Sequence, residues 1–254
     1  MGEGLHYRAL DAADAKGETR RYNNFFGHLV ERYCLELAES AYPVDRPLGS
    51  GRAHPEQRYG RRGARRTFDI ALDFGTDIVA IEIVAARLTA EMQVFGRPEL
   101  LARELEKMVF KKVRQIASPV AAVLSGEAEI PEVDPEQIRL IWPMIVTGGT
   151  LLVTELLWDQ INAMIPAELT APRVAPLCVL DLDDFELLLA LGADGHHLPD
   201  ILRRWRGGLY RDFDFARFAY QELGVDPDVR LPIINERYQA LGGRMRQVLF
   251  PNAA

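Results

Sequence analysis

The chain of 254 residues is 48% apolar and 26% charged, with a net charge of −7. That balance is ordinary for a globular protein with room for one large domain or a core with an appendage. No apolar run is long enough to span a bilayer, so no membrane partner is expected, and the acidic total argues against a protein that coats nucleic acid without selectivity.

The opening, MGEGLHYRALDAADAKGE, has no apolar h-region, so no secretory signal is expected. Cys34 and Cys178 lie far apart inside apolar patterns, which predicts buried thiols of a reducing compartment, neither a disulfide nor a zinc site. A cytoplasmic location follows as the default. Arg21 to Ser40 reads as an amphipathic helix. Phe26, Val30, Tyr33 and Leu37 share one stripe, Leu29 and Cys34 sit at its edges, and Glu31 lies on its flank.

Pro43 to Arg66 is rich in Gly, Pro and Arg and reads as a loop. Its second part, GRAHPEQRYGRRGARR (Gly51 to Arg66), holds six arginines and one acid. Arg58, Arg61, Arg62, Arg65 and Arg66 are candidate contacts to nucleic-acid phosphates at the mouth of a site; the plainer reading is a solvated basic loop.

Asp69 to Phe74 alternates, with Ile70, Leu72 and Phe74 on one face and Asp69, Ala71 and Asp73 on the other. Gly75-Thr76 suits a two-residue hairpin turn, and Asp77 to Val84 continues as a very apolar strand. This register sets Asp69 opposite Glu82. Glu82 and Val84 then share one face, and Ile81 and Ile83 the other. A lone glutamate inside DIVAIEIVAA is costly unless paired or bound to metal. Asp73 reads as an acid near the turn.

Arg97 to Ala117 predicts a second amphipathic helix, opened by Pro98, with Leu101, Leu105, Val109, Val113 and Ile116 as its buried stripe. At about 100° per residue Lys112 falls within that stripe, near Leu105 and Met108. Lys111, Glu104 and Gln115 lie along its edge, and Lys107 points away. A lysine on an apolar stripe either snorkels to the rim of the core or serves a site. Gln115 either contacts nucleic acid or covers the helix edge.

Ile138 to Thr147 reads as a strand, with Pro143 marking an edge or a bend. Leu151 to Ile165 reads as a helix. Val174 to Leu191 reads as a strand, an acidic turn and a helix capped by Asp181, Asp183 and Asp184. Leu198 to Phe250 is mainly helical in pattern. The order implies an α/β fold, a mixed central sheet flanked by helices. Residues 1–197 would form the core and 198–254 a helical C-terminal extension packed on it. His196 and His197 lack companion ligands for a metal site, and there is no Gly-rich phosphate loop, calcium loop or nucleophile elbow.

Taken together, GHLVERY in the first helix, Asp69, Glu82 thirteen positions later and the following LEKMVFKKVRQI resemble the PD-(D/E)xK nuclease superfamily, whose fold is restriction-endonuclease-like. The likeness covers roughly Tyr22 to Thr147. It implies that Asp69, Glu82 and the backbone carbonyl of Ile83 bind Mg²⁺ or Mn²⁺. Glu31 would support the metal or its water, and the activity would be metal-dependent hydrolysis of DNA or RNA. Where the motif ends in lysine this chain has Val84, and Phe68 stands where the family name has proline. A lysine entering from the neighbouring helix would replace the missing one, Lys112 first and Lys111 second. The rival expectation is a nuclease fold without catalysis that binds nucleic acid or a protein. Cutting both strands of a duplex often uses two such sites, so a homodimer is a further expectation.

Overall fold

The computed structural model describes residues 2–86, 98–149, 155–226 and 228–249. Its main sheet has five strands: β1 (Arg52–Pro55), β4 (Ile70–Asp73), β5 (Asp77–Val84), β6 (Leu140–Thr147) and β7 (Cys178–Asp181), in the spatial order β1-β4-β5-β6-β7. Two short strands, β2 (Arg58–Tyr59) and β3 (Arg65–Arg66), make a separate ribbon. The helices are α1 (Gly2–Asp14), α2 (Thr19–Ala41), α3 (Pro98–Leu105), α4 (Lys111–Leu124), α5 (Glu155–Ala163), α6 (Leu182–Ala193), α7 (Leu198–Gly207), α8 (Phe215–Phe218) and α9 (Pro232–Leu249). The first three strand pairs in that order are antiparallel, antiparallel and parallel, and β6–β7 is parallel. The fold is therefore mixed α/β, a mixed sheet flanked by helices.

Side-chain alternation sorts the sheet into two apolar faces. Ile70, Leu72, Val79, Ile81 and Ile83 pack with buried residues of α2, α6, α7 and α8. Ala71, Ile78, Ala80 and Val84 pack with α4 and with Leu157, Trp158 and Ile161 of α5. Leu198, Ile201, Leu202, Trp205, Phe215 and Phe218 of the C-terminal helices join the same cluster as the first face. Cys34 and Cys178 are free and buried, and desolvation pushes both thiols up, Cys178 to about 12. Among the described residues no helix is long and apolar enough to cross a membrane.

The central hairpin pairs Ile70 with Ile81 and closes with Phe74 N–H donating to the Asp77 carbonyl. Gly75 takes a φ of 78° there, and a Cβ would meet the Gly49 Cα at 3.2 Å, so the turn needs glycine twice over. Several sequence expectations change. Pro43 to Arg66 is not all loop, because β1 and the β2–β3 ribbon lie within it. Arg52 and His54 are buried in β1, a pattern that polar side chains hide from any hydropathy reading. Leu29 is half exposed, while Cys34 is central to the α2 stripe.

Pro143 lies in β6, which has partners on both sides. Ile141 bonds toward the β7 side, through Arg173 and Ala175, and the β7 ladder resumes at Met144. Pro143, two residues from Ile141, turns its hydrogen-free nitrogen into that gap, so no ladder bond is lost. The helix expected over residues 97–117 is α3 and α4 joined by a π-helical turn at Glu106–Phe110, and it runs past Ala117 to Leu124. Of the helix expected over residues 151–165, residues 151–154 lie outside the described residues, as do Arg97 and Phe250. Asp181 caps α6 by accepting from Asp184 N–H at 2.9 Å. Asp184 instead accepts from Phe215 and Ala216 N–H at the start of α8, and burial pushes its carboxyl up to about 7.

Candidate functional site

Strand register brings the two acids together. Continuing the β4–β5 pairing one step beyond Ile70 and Ile81 sets Asp69 across from Glu82. Asp69 Oδ2 accepts from Ile83 N–H at 2.7 Å, which fixes the carboxylate beside the strand. Glu82 alternates with Ala80 and Val84 on the face that α4 covers, and its side chain is only 8% exposed.

Lys112 reaches this point from the second residue of α4. Its Nζ donates to Glu82 Oε2 at 2.7 Å and lies 3.7 Å from Asp69 Oδ2. Burial works against the ammonium, but Glu82, Asp69 and the hydrogen bond outweigh it and hold Lys112 above its ordinary value. Desolvation and then repulsion from Asp69 push Glu82 up to about 7, against the pull of Lys112. Neighbouring carboxylates raise both groups, although for Glu82 burial is the larger cause. Around this pair the acids Asp69, Glu82 and Glu31 outnumber the single lysine.

A pocket of about 500 Å³ opens over this cluster. Its acidic wall is Glu31, Glu56, Asp69 and Glu82; its basic groups are Arg65, Arg66 and Lys112; Gln115, Ser118 and Pro119 of α4 close one side. Glu31 enters from α2 and also meets His28 Nδ1 at 3.3 Å. The ribbon is fastened at its base by Thr67, whose Oγ1 accepts from Gln57 N–H at 2.8 Å while its own N–H donates to the Gln57 carbonyl. This carries Arg65 and Arg66 to the rim, paired with Glu127 at 3.1 Å and Glu56 at 3.2 Å.

Of the residues proposed from sequence, Glu31, Asp69, Glu82, Lys112, Gln115, Arg65 and Arg66 thus share one pocket. Lys111 is exposed and does not line it; one step along α4 turns its side chain away from Lys112. Arg61 and Arg62 are exposed at the ribbon tip, and Arg58 lines a neighbouring depression with Glu127 and Glu129. Arg52 belongs to the interior, 3.5 Å from Asp73 and 3.1 Å from Glu132. Asp73 also accepts from Gly75 N–H at 2.7 Å, the turn role its position suggested. Sequence reading missed Glu56; the spacing of Arg52, His54 and Glu56 at every second residue was its available signal. Val84 is buried among apolar side chains and is not part of the pocket lining.

The hard oxygen donors of Asp69 and Glu82 suit Mg²⁺ or Mn²⁺, which take one or two carboxylates and keep several waters. Among the described residues no three His, Cys, Asp or Glu side chains converge closely enough to hold a metal ion. The two carboxylates that such a cation could take are Asp69, which accepts from Ile83 N–H, and Glu82, which accepts from Lys112. Comparison with protein-family profiles, curated proteins and solved structures finds no match to this chain.

The Glu82 shift has a measurable consequence. A carboxyl whose pKa is higher in the folded chain than in the unfolded one favours folding fully below the unfolded value of 4.5, and loses that contribution as pH rises through about 7. Denaturant melts of Glu82→Gln should therefore show a flatter decline in stability across that window than wild type. Equal slopes would mean that Glu82 titrates normally.

Proposed function

We propose that the protein is a metal-dependent phosphodiesterase acting on DNA or RNA, a PD-(D/E)xK-type nuclease with a restriction-endonuclease-like core whose lysine has moved from position 84 to position 112. One observation carries the reading: the Lys112 ammonium lies within 4 Å of both strand carboxylates. It meets them from α4, where Val84 on the strand offers neither charge nor a hydrogen bond.

In this reading Asp69 and Glu82 hold a divalent cation and Glu31 supports its water shell. The cation, when bound, would polarise a phosphate oxygen and acidify a bound water. Lys112 orients that water and offsets phosphate charge. Arg65 and Arg66 guide the strand to the pocket by phosphate contact, a term that weakens with salt. Val84, sealed in the apolar layer, and the ion pairs that already occupy both acids favour a second reading, a catalytically silent binding protein on the same scaffold.

Titration with Mn²⁺ followed by calorimetry separates the two. Wild type should bind the cation, and Asp69→Asn and Glu82→Gln should each weaken binding at least about tenfold, one lost charged ligand contact, and lose cleavage of DNA or RNA with it. Cation binding unchanged in both variants would remove the metal site and leave the binding-only reading.

A further inference from the structure

Glu56 follows β1 directly; the β1–β4 register runs from Arg52 with Asp73 to Pro55 with Ile70 and then slips by one residue, because Gln57 pairs with Thr67, so Glu56 faces the Phe68–Asp69 step. The β4–β5 register continues to Asp69 beside Glu82. Ala53 packs on the opposite apolar face, so Arg52, His54 and Glu56 face the side of Asp69 and Glu82. Glu56, Asp69 and Glu82 line the same pocket, and Glu56 adds to the repulsion felt by Glu82.

Glu56 is turned to Arg66, whose Nη1 lies 3.2 Å from its Oε2. We propose that Glu56 is a third carboxylate of the cation site, which Arg66 keeps occupied in the arrangement seen here. The inference rests on the cation site proposed above. Among the described residues no three acids converge on one point, and in this proposal the Arg66 pair is what holds Glu56 aside. The Arg66–Glu56 pair is largely exposed, and exposed pairs are weak. A phosphate presented to Arg66 competes with Glu56 for the guanidinium, so strand binding and cation binding are linked through one exchange.

Mn²⁺ titration of the full chain, without nucleic acid, tests this independently of cleavage. Arg66→Gln frees Glu56 and should tighten Mn²⁺ binding by about fivefold or more, the lower end of coupling between sites. Arg65→Gln removes an equal charge from the same rim but releases Glu127, and should tighten it much less. In Glu56→Gln/Arg66→Gln the gain should disappear. Equal tightening in Arg65→Gln would overturn the proposal, because the field alone would then explain it; a gain that survives in the double variant would overturn it too, because Glu56 would then not be its source. If Asp69→Asn still weakens Mn²⁺ binding in that case, the two-carboxylate site stands without Glu56. No Mn²⁺ binding by wild type or by Arg66→Gln would overturn the cation site itself and this inference with it.

Discussion

On the nuclease reading, replacing Lys112 with methionine is expected to slow phosphodiester cleavage by about 10²–10³-fold, the usual cost of removing one positioned electrostatic donor. The same change is expected to tighten Mn²⁺ binding. The ammonium 2.7 Å from Glu82 competes with any cation for that carboxylate, and its removal leaves the cluster more negative. A residue that only held the fold together would not separate rate from cation affinity in this way. Stability without cation should fall by about 1–3 kcal/mol, because Glu82 and Asp69 lose their common partner while the pocket still lets solvent reach them. Added Mn²⁺ should restore much of that loss. Lys112→Arg should retain more stability than rate, since a planar guanidinium keeps the charge but not the position of the amine. Rate constants, calorimetry and melts on the same three proteins measure all of this.

Arg52→Met is expected to destabilise the fold by about 3–5 kcal/mol, the cost of leaving one member of a buried ion pair alone. Asp73 is 3% exposed, and the basic side chains beside it are Arg52 at 3.5 Å and His54 at 4.0 Å. His54 is a weak substitute. Burial holds its imidazole below its ordinary value despite the pull of Asp73, so it is mostly neutral near pH 7. Folded Arg52→Met should bind oligonucleotides as wild type does, whereas Arg66→Gln should keep its stability and show a shallower salt dependence of binding. A loss of binding without loss of stability in Arg52→Met would return Arg52 to the basic rim.

These two residues show how far the sequence could be read. Asp69 and Glu82 were legible because a hairpin with a two-residue turn has one register, and period-two alternation then assigns every side chain to a face. Lys112 was legible because a charged residue on an apolar stripe is conspicuous, although the π turn at Glu106–Phe110 changes the helix phase that a uniform 100° step assumes. Arg52 was not legible. Its buried state depends on Asp73 and Glu132, which lie 21 and 80 residues away, and an arginine in a Gly-rich stretch looks solvated until those partners are seen. Asp184 was misassigned for the same reason, since the amides it caps belong to Phe215 and Ala216. Local pattern determined elements and faces; long-range pairing of polar groups decided which charges are structural and which remain at the pocket.

The most direct test of the central claim is cleavage by the unmodified protein. Single-stranded DNA, duplex DNA and RNA would each be incubated with Mg²⁺ or Mn²⁺ and, in parallel, with chelator. The account predicts cutting of at least one of the three that requires the cation. Intact substrates in every cation condition, from protein shown to be folded, would contradict it.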